Sequence, residues 1–332
     1  MTRIFSGVKP TGHLTLGNYL GAVRQWVAAE QEPDDALFCV VDLHALTVEH
    51  DPARVRRLSR QAATLLLAAG LGPEKCTLFV QSHVDEHTRL AYLLECTASD
   101  GELRRMIQYR EKSVRAQDAG EGVRLSLLTY PVLMAADILA YDTAEVPVGE
   151  DQRQHVELTR DLAVRFNQRY GHTFTVPRAT HPQVAARVMD LQDPTSKMGK
   201  SHGSGAGIVY LLDEPAVIRK KVMRAVTDSG DDGVVYDRAA RPGVANLLDV
   251  LAACTGEEPQ VLARGYAQYG PLKRDVADAV VELLRPLRER HAEISADPGE
   301  VERVLREGAG RARALARPVV DRAYEAIGLL AP

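Results

Sequence analysis

The sequence predicts an α/β protein, a doubly wound parallel sheet followed by a C-terminal α-helical domain. Three observations carry that prediction. Apolar runs alternate with amphipathic stretches through the first half of the chain, the order that builds a parallel sheet covered on both faces. A glycine-rich turn follows the first apolar run, where such sheets bind ligands. Beyond Asp213 only helical periodicity remains.

The strands expected are Ile4–Phe5, Leu37–Val41 and Thr77–Val80, with a short fourth at Val146–Val148. Helices are expected at Tyr19–Glu30 and at Pro52–Ala69, the second with Asp51 as N-cap. From Gly101 to Arg124 the chain turns polar and charged, which reads as a surface segment or a subunit contact, assigned to 101–125. Helices at Pro131–Tyr141 and Asp151–Tyr170 follow. A Gly/Ser/Lys stretch from Thr195 to Gly207 reads as a mobile loop. The C-terminal patterns fall at 214–226, 243–254, 273–293 and 310–327, with a kink expected at Pro286. The domains expected are therefore 1–212 and a helical bundle over 213–332.

The chain has 332 residues, of which 45% are hydrophobic, enough for a sizeable core. Its net charge of −4 gives no overall attraction to phosphate, so a nucleic-acid surface would have to gather basic residues on one face. Cys39, Cys76, Cys96 and Cys254 show no CxxC spacing, which fits a reducing compartment and argues against a disulfide framework or a bound structural metal. The chain opens directly into the first strand, and no apolar run approaches bilayer length. A cytoplasmic protein without membrane segments is expected.

Three segments carry chemistry. The turn Pro10-Thr11-Gly12-His13-Leu14-Thr15-Leu16-Gly17-Asn18 joins the first strand to a helix whose free N–H groups favour anions. It is neither GxGxxG nor GxxxxGK[ST], and alone it also fits an ordinary strand-to-helix loop. The second segment, Thr195-Ser196-Lys197-Met198-Gly199-Lys200-Ser201, sets two lysines three apart in a loop, where they could stabilise charge on a departing phosphate group. A solvated basic loop has the same composition. In the third, Tyr130, Met134, Asp137 and Tyr141 share one helix face. Asp137 is the anomaly there. If it faces a pocket it needs a donor, and an indole N–H is a donor-only group.

Together these segments resemble class I aminoacyl-tRNA synthetases of the bacterial, tryptophan-specific branch. The first resembles the HIGH signature, with Thr15 and Asn18 at its histidine positions. The second resembles KMSKS, with Gly199 in place of the middle serine. Leu128–Tyr141 looks like the helix that specifies tryptophan, and Val146–His155 resembles the family's VPVGEDQxQH segment. The resemblance implies a Rossmann-like catalytic domain that joins L-tryptophan to ATP, with Mg²⁺, and then loads the amino acid onto tRNA. It also implies a homodimer whose helical third reads the anticodon.

By the same resemblance, Lys9, Pro10, Thr11, Gly17 and Asn18 hold ATP together with Gly149, Glu150, Asp151 and Val188. Lys197, Met198, Gly199, Lys200 and Ser201 close over the phosphates. Thr15, Lys112, Lys197 and Lys200 act on the reacting triphosphate. Asp137, Phe5, His44, Tyr130, Met134, Val148 and Gln152 surround tryptophan, and Gln152 meets its amino group. Lys9 stands where many bacterial members carry glutamine and adds a positive charge near the phosphates or the substrate carboxylate. A pocket built on an Asp137–indole bond would reject phenylalanine roughly 10⁴-fold, because the carboxylate would be left unpaired. Tyrosine-specific members share the fold and both loops, but the Met-Ala-Ala-Asp helix and the Gly-Glu-Asp-Gln segment favour tryptophan. Arg219, Lys220, Lys221 and Arg224 form either a solvated face or a contact for tRNA phosphates.

Overall fold

The computed structural model describes residues 3–28, 35–149, 152–180, 188–199, 205–228 and 233–330. Within them, β1 (Ile4–Val8) leads through the glycine turn into α1 (Leu16–Asn18), a π-helical turn at Tyr19–Val23, and α2 (Arg24–Ala28). β2 (Ala36–Val40), α3 (Pro52–Ala69) and β3 (Thr77–Val80) complete the first wing of the sheet. α4 (Glu86–Glu95), α5 (Asp100–Arg104), α6 (Ile107–Asp118) and α7 (Leu125–Leu139) follow. Then come β4 (Glu145–Pro147), α8 (Arg153–Tyr170) and β5 (Arg178–Thr180). The remaining elements are α9 (Pro215–Met223), α10 (Pro242–Thr255), α11 (Pro259–Ala263), α12 (Tyr269–Ala296) and α13 (Pro298–Ala326).

The strands form one sheet in the order β3-β2-β1-β4-β5, and every pairing is parallel. Chain order reverses at β1, so the crevice between the carboxyl ends of β1 and β4 is the switch point where such sheets accept ligands. Each face of the sheet carries its own core. Phe38, Val40, Leu78 and Val80 pack with α3, α9, α10 and α12. Leu37, Cys39 and Phe79 pack with α4, α7 and α8. Period-two side-chain alternation puts neighbouring strand residues into opposite cores.

Local chemistry accounts for the sharpest boundaries. Asp51 accepts from the backbone N–H groups of Ala53 and Arg54, and α3 ends at Gly70 in the left-handed region, φ 110°. α7 starts six residues before Pro131, which lies inside it, rather than at the proline as expected. Proline at that position removes only one ladder bond, and the apolar face of α7 is buried against α4 and α8. The segment 101–125, read as a surface segment or subunit contact, carries most of α5 and all of α6, whose low apolar content hides their periodicity. α12 runs without interruption through Pro286, and α13 begins twelve residues before the pattern expected at 310.

The C-terminal helices share the core of the sheet. Val244, Leu248 and Val280 belong to the same cluster as Phe38 and Leu78, so packing is continuous across residue 213. α13 goes further. Val301, Val304 and Leu305 sit in the core of one face, and Ala309, Ala312, Ala316 and Val320 in that of the other. Between them lies Gly308, where a Cβ would stand 1.9 Å from the Leu78 carbonyl oxygen. The helix thus passes from face to face around the edge strand β3, and only glycine permits so close a crossing.

Candidate active site

A cavity of about 480 Å³ opens at the carboxyl ends of β1 and β4. Phe5 to Lys9 line one wall and Val146 to Gly149 another. α6 supplies Gln108 and Lys112, and α7 supplies Tyr130, Met134 and Asp137. The cavity has two chemically distinct ends.

The first end is built around Asp137, which is 1% exposed on the otherwise apolar α7. Its Oδ1 lies 2.6 Å from His87 Nδ1 and accepts from Gln81 Nε2 at 2.8 Å. Its Oδ2 lies 2.8 Å from His44 Nε2 and 2.9 Å from the same Gln81 nitrogen. Burial pushes the Asp137 carboxyl up, but the hydrogen bonds from His44 and His87 outweigh it and hold the group well below the usual carboxylate range. The site therefore contains a buried, ionised, fully partnered carboxylate. The ring of Tyr130 stands edge-on to His44, and its hydroxyl meets His155 Nε2 at 2.8 Å and donates to Gln108 Oε1 at 3.1 Å.

The second end is cationic. Lys9 Nζ donates to Thr47 Oγ1 at 3.2 Å, and burial, with help from the Lys112 charge, lowers its pKa to about 8. Lys112 Nζ lies 5.6 Å from the Tyr130 ring centroid, within cation–π range. Next to this end, the glycine turn and the lysine loop are locked together. The Thr15 hydroxyl accepts from the Asn18 N–H at 3.2 Å, capping α1, and reaches the Met198 carbonyl at 3.4 Å. A Cβ on Gly17 would come within 2.9 Å of that carbonyl. The lysine loop bonds to itself from Met198 N–H to the Val188 carbonyl at 3.0 Å and from Asp190 N–H to the Ser196 carbonyl at 2.8 Å. The buried Asn246 of α10 clamps Met189 by accepting from its N–H at 2.8 Å and donating to its carbonyl at 3.0 Å.

The sequence profile described as tRNA synthetases class I (W and Y) matches residues 1–285. The chain belongs to this family. It is 77% identical over 330 residues to tryptophan–tRNA ligase 1 of Streptomyces avermitilis, covering 99% of each chain. With tryptophan–tRNA ligase 2 of the same organism it shares 50% identity over 331 residues, covering 99% of this chain and 97% of that one. Among solved structures, tryptophanyl-tRNA synthetase from Mycoplasma pneumoniae matches with a TM-score of 0.90 at 34% identity, covering 99% of this chain and 98% of that one. The Campylobacter jejuni tryptophanyl-tRNA synthetase complexed with ADP and tryptophan matches with a TM-score of 0.83 at 31% identity, covering 98% of this chain and all of that one.

Within this W and Y fold, Phe5, Lys9, Asn18, His44, Lys112, Tyr130, Met134, Asp137, Val148, Gly149 and Gln152 all line the one cavity. Several other expected residues take different places. Thr15 is fully buried and its hydroxyl is committed to capping, so it does not present a donor to a phosphate. Asn18 uses its Oδ1 in the same capping box, which leaves its amide nitrogen as the group able to reach a ligand. Val188 and Met198 are core side chains, each 1% exposed, so they contribute to a ligand site only through backbone. Pro10 is buried, while Thr11 and Lys197 are exposed outside the cavity lining, and Gly199 closes the described part of the loop. Glu150, Asp151, Lys200 and Ser201 lie outside the described residues.

The partners of Asp137 also correct the expected basis of selectivity. The carboxylate would not be left unpaired by a ring lacking an N–H, because His44, His87 and Gln81 already satisfy it. Rejection of such a ring must instead come from disturbing that set without replacing what is lost. Gln81, His87 and Gln108 were not legible as site residues. Gln81 and His87 follow the edge strand, 56 and 50 residues before Asp137, and no spacing rule connects them. The ends of strands β1 to β3 in a parallel sheet do converge, and that is the one signal that could have pointed to them.

Proposed function

We propose that the cavity activates L-tryptophan with ATP and that the chain then transfers the tryptophanyl group to tRNA. The observation that carries this reading is the buried, ionised Asp137 on an apolar helix wall, facing a space whose other end is cationic. An indole offers an apolar body to Phe5, Met134 and Val148 and a single N–H to the carboxylate.

In the first step the tryptophan carboxylate attacks the α-phosphorus of ATP. The bond from that phosphorus to the bridging oxygen breaks, and pyrophosphate departs with the electron pair. Positioning and charge neutralisation supply most of the rate in such chemistry. Lys9 and Lys112 are placed to meet phosphate or carboxylate oxygens, and Lys197 with Lys200 would neutralise the departing pyrophosphate. Mg²⁺ would enter as part of the ATP complex. Its ligands would include oxygens of the triphosphate. In the second step a terminal ribose hydroxyl of tRNA attacks the adenylate carbonyl and AMP leaves.

The helical residues 213–332 would carry the anticodon contacts. Of the basic cluster on α9, Arg219 pairs with Asp278 and Lys221 with Asp213, so Lys220 and Arg224 are the charges better placed for phosphate. The exposed apolar side chains Tyr92, Ile107, Val114 and Leu125 on α4, α6 and α7 suit a second copy of the chain, in line with a homodimer and with the contact expected at 101–125. Among the described residues no helix is long and apolar enough to cross a membrane, and the reading places the protein in the cytoplasm.

Exchange of labelled pyrophosphate into ATP tests the reaction. Exchange that depends on tryptophan is expected. Exchange with tyrosine alone would move the substrate to the other branch of the family, and none with either would leave a non-catalytic relative.

A further inference from the structure

Behind the cavity wall runs a chain of polar groups that the reaction itself does not use. The Tyr141 hydroxyl lies 2.7 Å from His87 Nε2, and His87 Nδ1 lies 2.6 Å from Asp137 Oδ1. Tyr141, His87 and Gln81 have no measurable exposure. Tyr141 is held on both sides, stacked on Phe5 with centroids 5.7 Å apart and edge-on to Phe79 at 5.9 Å. Gln81 is fixed at its far end as well, where its Oε1 accepts the Leu43 N–H at 3.1 Å. A carboxylate offers about four acceptor directions, and three donor nitrogens meet them here, with Gln81 Nε2 straddling both oxygens. Of the three residues that take them, only His44 lines the cavity. Oδ2, which His44 shares with Gln81, is therefore the oxygen next to the ligand space, while Oδ1 is pinned from behind.

We propose that His87, oriented by Tyr141, is a positioning residue for indole recognition. The phenol O–H donates to Nε2, which keeps the ring hydrogen on Nδ1. That N–H holds Oδ1, so the plane of the carboxylate is set with Oδ2 turned to the cavity. A carboxylate can only accept, so the hydrogen between it and His87 belongs to the ring. Without the phenol, the ring is free to place its hydrogen on the other nitrogen, and Asp137 then faces a lone pair. Tyr141 follows the end of α7, four residues beyond Asp137, so one stretch of sequence carries both the reader and the group that aligns it.

The inference rests on the reading that Asp137 meets the indole N–H, and the test separates the two. The probe is L-3-(benzothiophen-3-yl)alanine, which has sulfur where tryptophan has N–H. The quantity read is the ratio of kcat/KM for tryptophan to that for the probe, in ATP–pyrophosphate exchange. Tyr141→Phe, nearly isosteric, should lower the ratio about five- to tenfold, the size expected for weakening one bond to a charged group. The change should fall in the tryptophan KM and leave the KM for ATP unmoved. His87→Ala should lower the ratio at least as far. His87→Asn should recover most of it, since an asparagine amide nitrogen can stand at the Nδ1 position.

An equal loss for both substrates in Tyr141→Phe and His87→Ala would mean that these residues only fill space, and the proposal would fall. If Tyr141→Phe does not fold, the contrast between His87→Asn and His87→Ala decides the same question. Asp137→Asn supplies the control. A collapse of the ratio there, with no change in the other variants, would overturn the role of His87 alone. An unchanged ratio in Asp137→Asn would overturn the reading of Asp137 itself.

Discussion

The two ends of the cavity are made in opposite ways. At the Asp137 end the carboxylate and the His44, Gln81 and His87 side chains around it are buried and hydrogen-bonded before any ligand arrives. At the cationic end the charges are Lys9 and Lys112, and the nearby Lys197 is exposed on a loop that is held by backbone bonds and one asparagine clamp. The difference suits the two tasks. Telling one ring from another needs a polar group that cannot relax, because a few tenths of an ångström erase the discrimination. Neutralising charge that appears during the reaction needs cations able to follow it.

The largest effect should come from breaking the rigid end. Asp137→Ala leaves donors on His44, His87 and Gln81 without their acceptor, and each buried loss costs about 1–3 kcal/mol. Tryptophan-dependent exchange should fall by roughly 10²–10⁴ while the dissociation constant for ATP stays within about threefold. A parallel loss of ATP binding would show that the ends are not separate.

Gly17→Ala attacks the seam between turn and loop, because its Cβ would press on the Met198 carbonyl at 2.9 Å. A clash of this kind costs about 1–3 kcal/mol. We expect kcat to drop roughly tenfold with the tryptophan KM nearly unchanged, and steady-state kinetics will show the split.

A pH series sharpens the contrast further. Lys9 titrates near pH 8, so it is charged below that value and loses its charge as pH rises through it. The KM for ATP should therefore rise a few-fold, about two to five, between pH 7 and 9. Lys9→Gln should flatten that profile. Asp137 stays ionised throughout this range, so tryptophan selectivity should not follow pH.

The smallest effect is expected for Asn246→Ala. It removes two bonds that tie α10 to the start of the lysine loop and should lower stability by about 1–3 kcal/mol, read as a fall in Tm, with a modest loss of kcat.

The same contrast governs what the sequence made legible. α3 and β3 were readable to the residue, because a capping aspartate, a terminal glycine and an unbroken apolar run are local signals. The lysine loop and the glycine turn were also visible as short motifs, and the anomalous carboxylate of α7 stood out from its apolar neighbours. The direction of the Thr15 hydroxyl was not legible, because a motif position says nothing about where it points once the turn packs. Two of the donors around Asp137 were hidden for a different reason. Gln81 and His87 meet it only after three strands have aligned, and each looks in sequence like an ordinary polar residue near a helix start. The boundaries of α12 and α13 were hidden by their length and charge, since long helices of mixed composition dilute the apolar period.

The passage of α13 around β3 also has a bearing on how the protein is made. All five strands of the described residues have been synthesised by Thr180, yet the outer backbone of β3 has no cover until the helix through Ala326 exists. At ordinary rates of translation that interval lasts on the order of ten seconds. During it the nascent chain carries an open flank of Thr77–Val80, a segment without charge that could pair with another chain. The final helix is thus a late-arriving guard. A ribosome that stops short of it releases a sheet ready to associate with its neighbours, well before any question of catalysis arises.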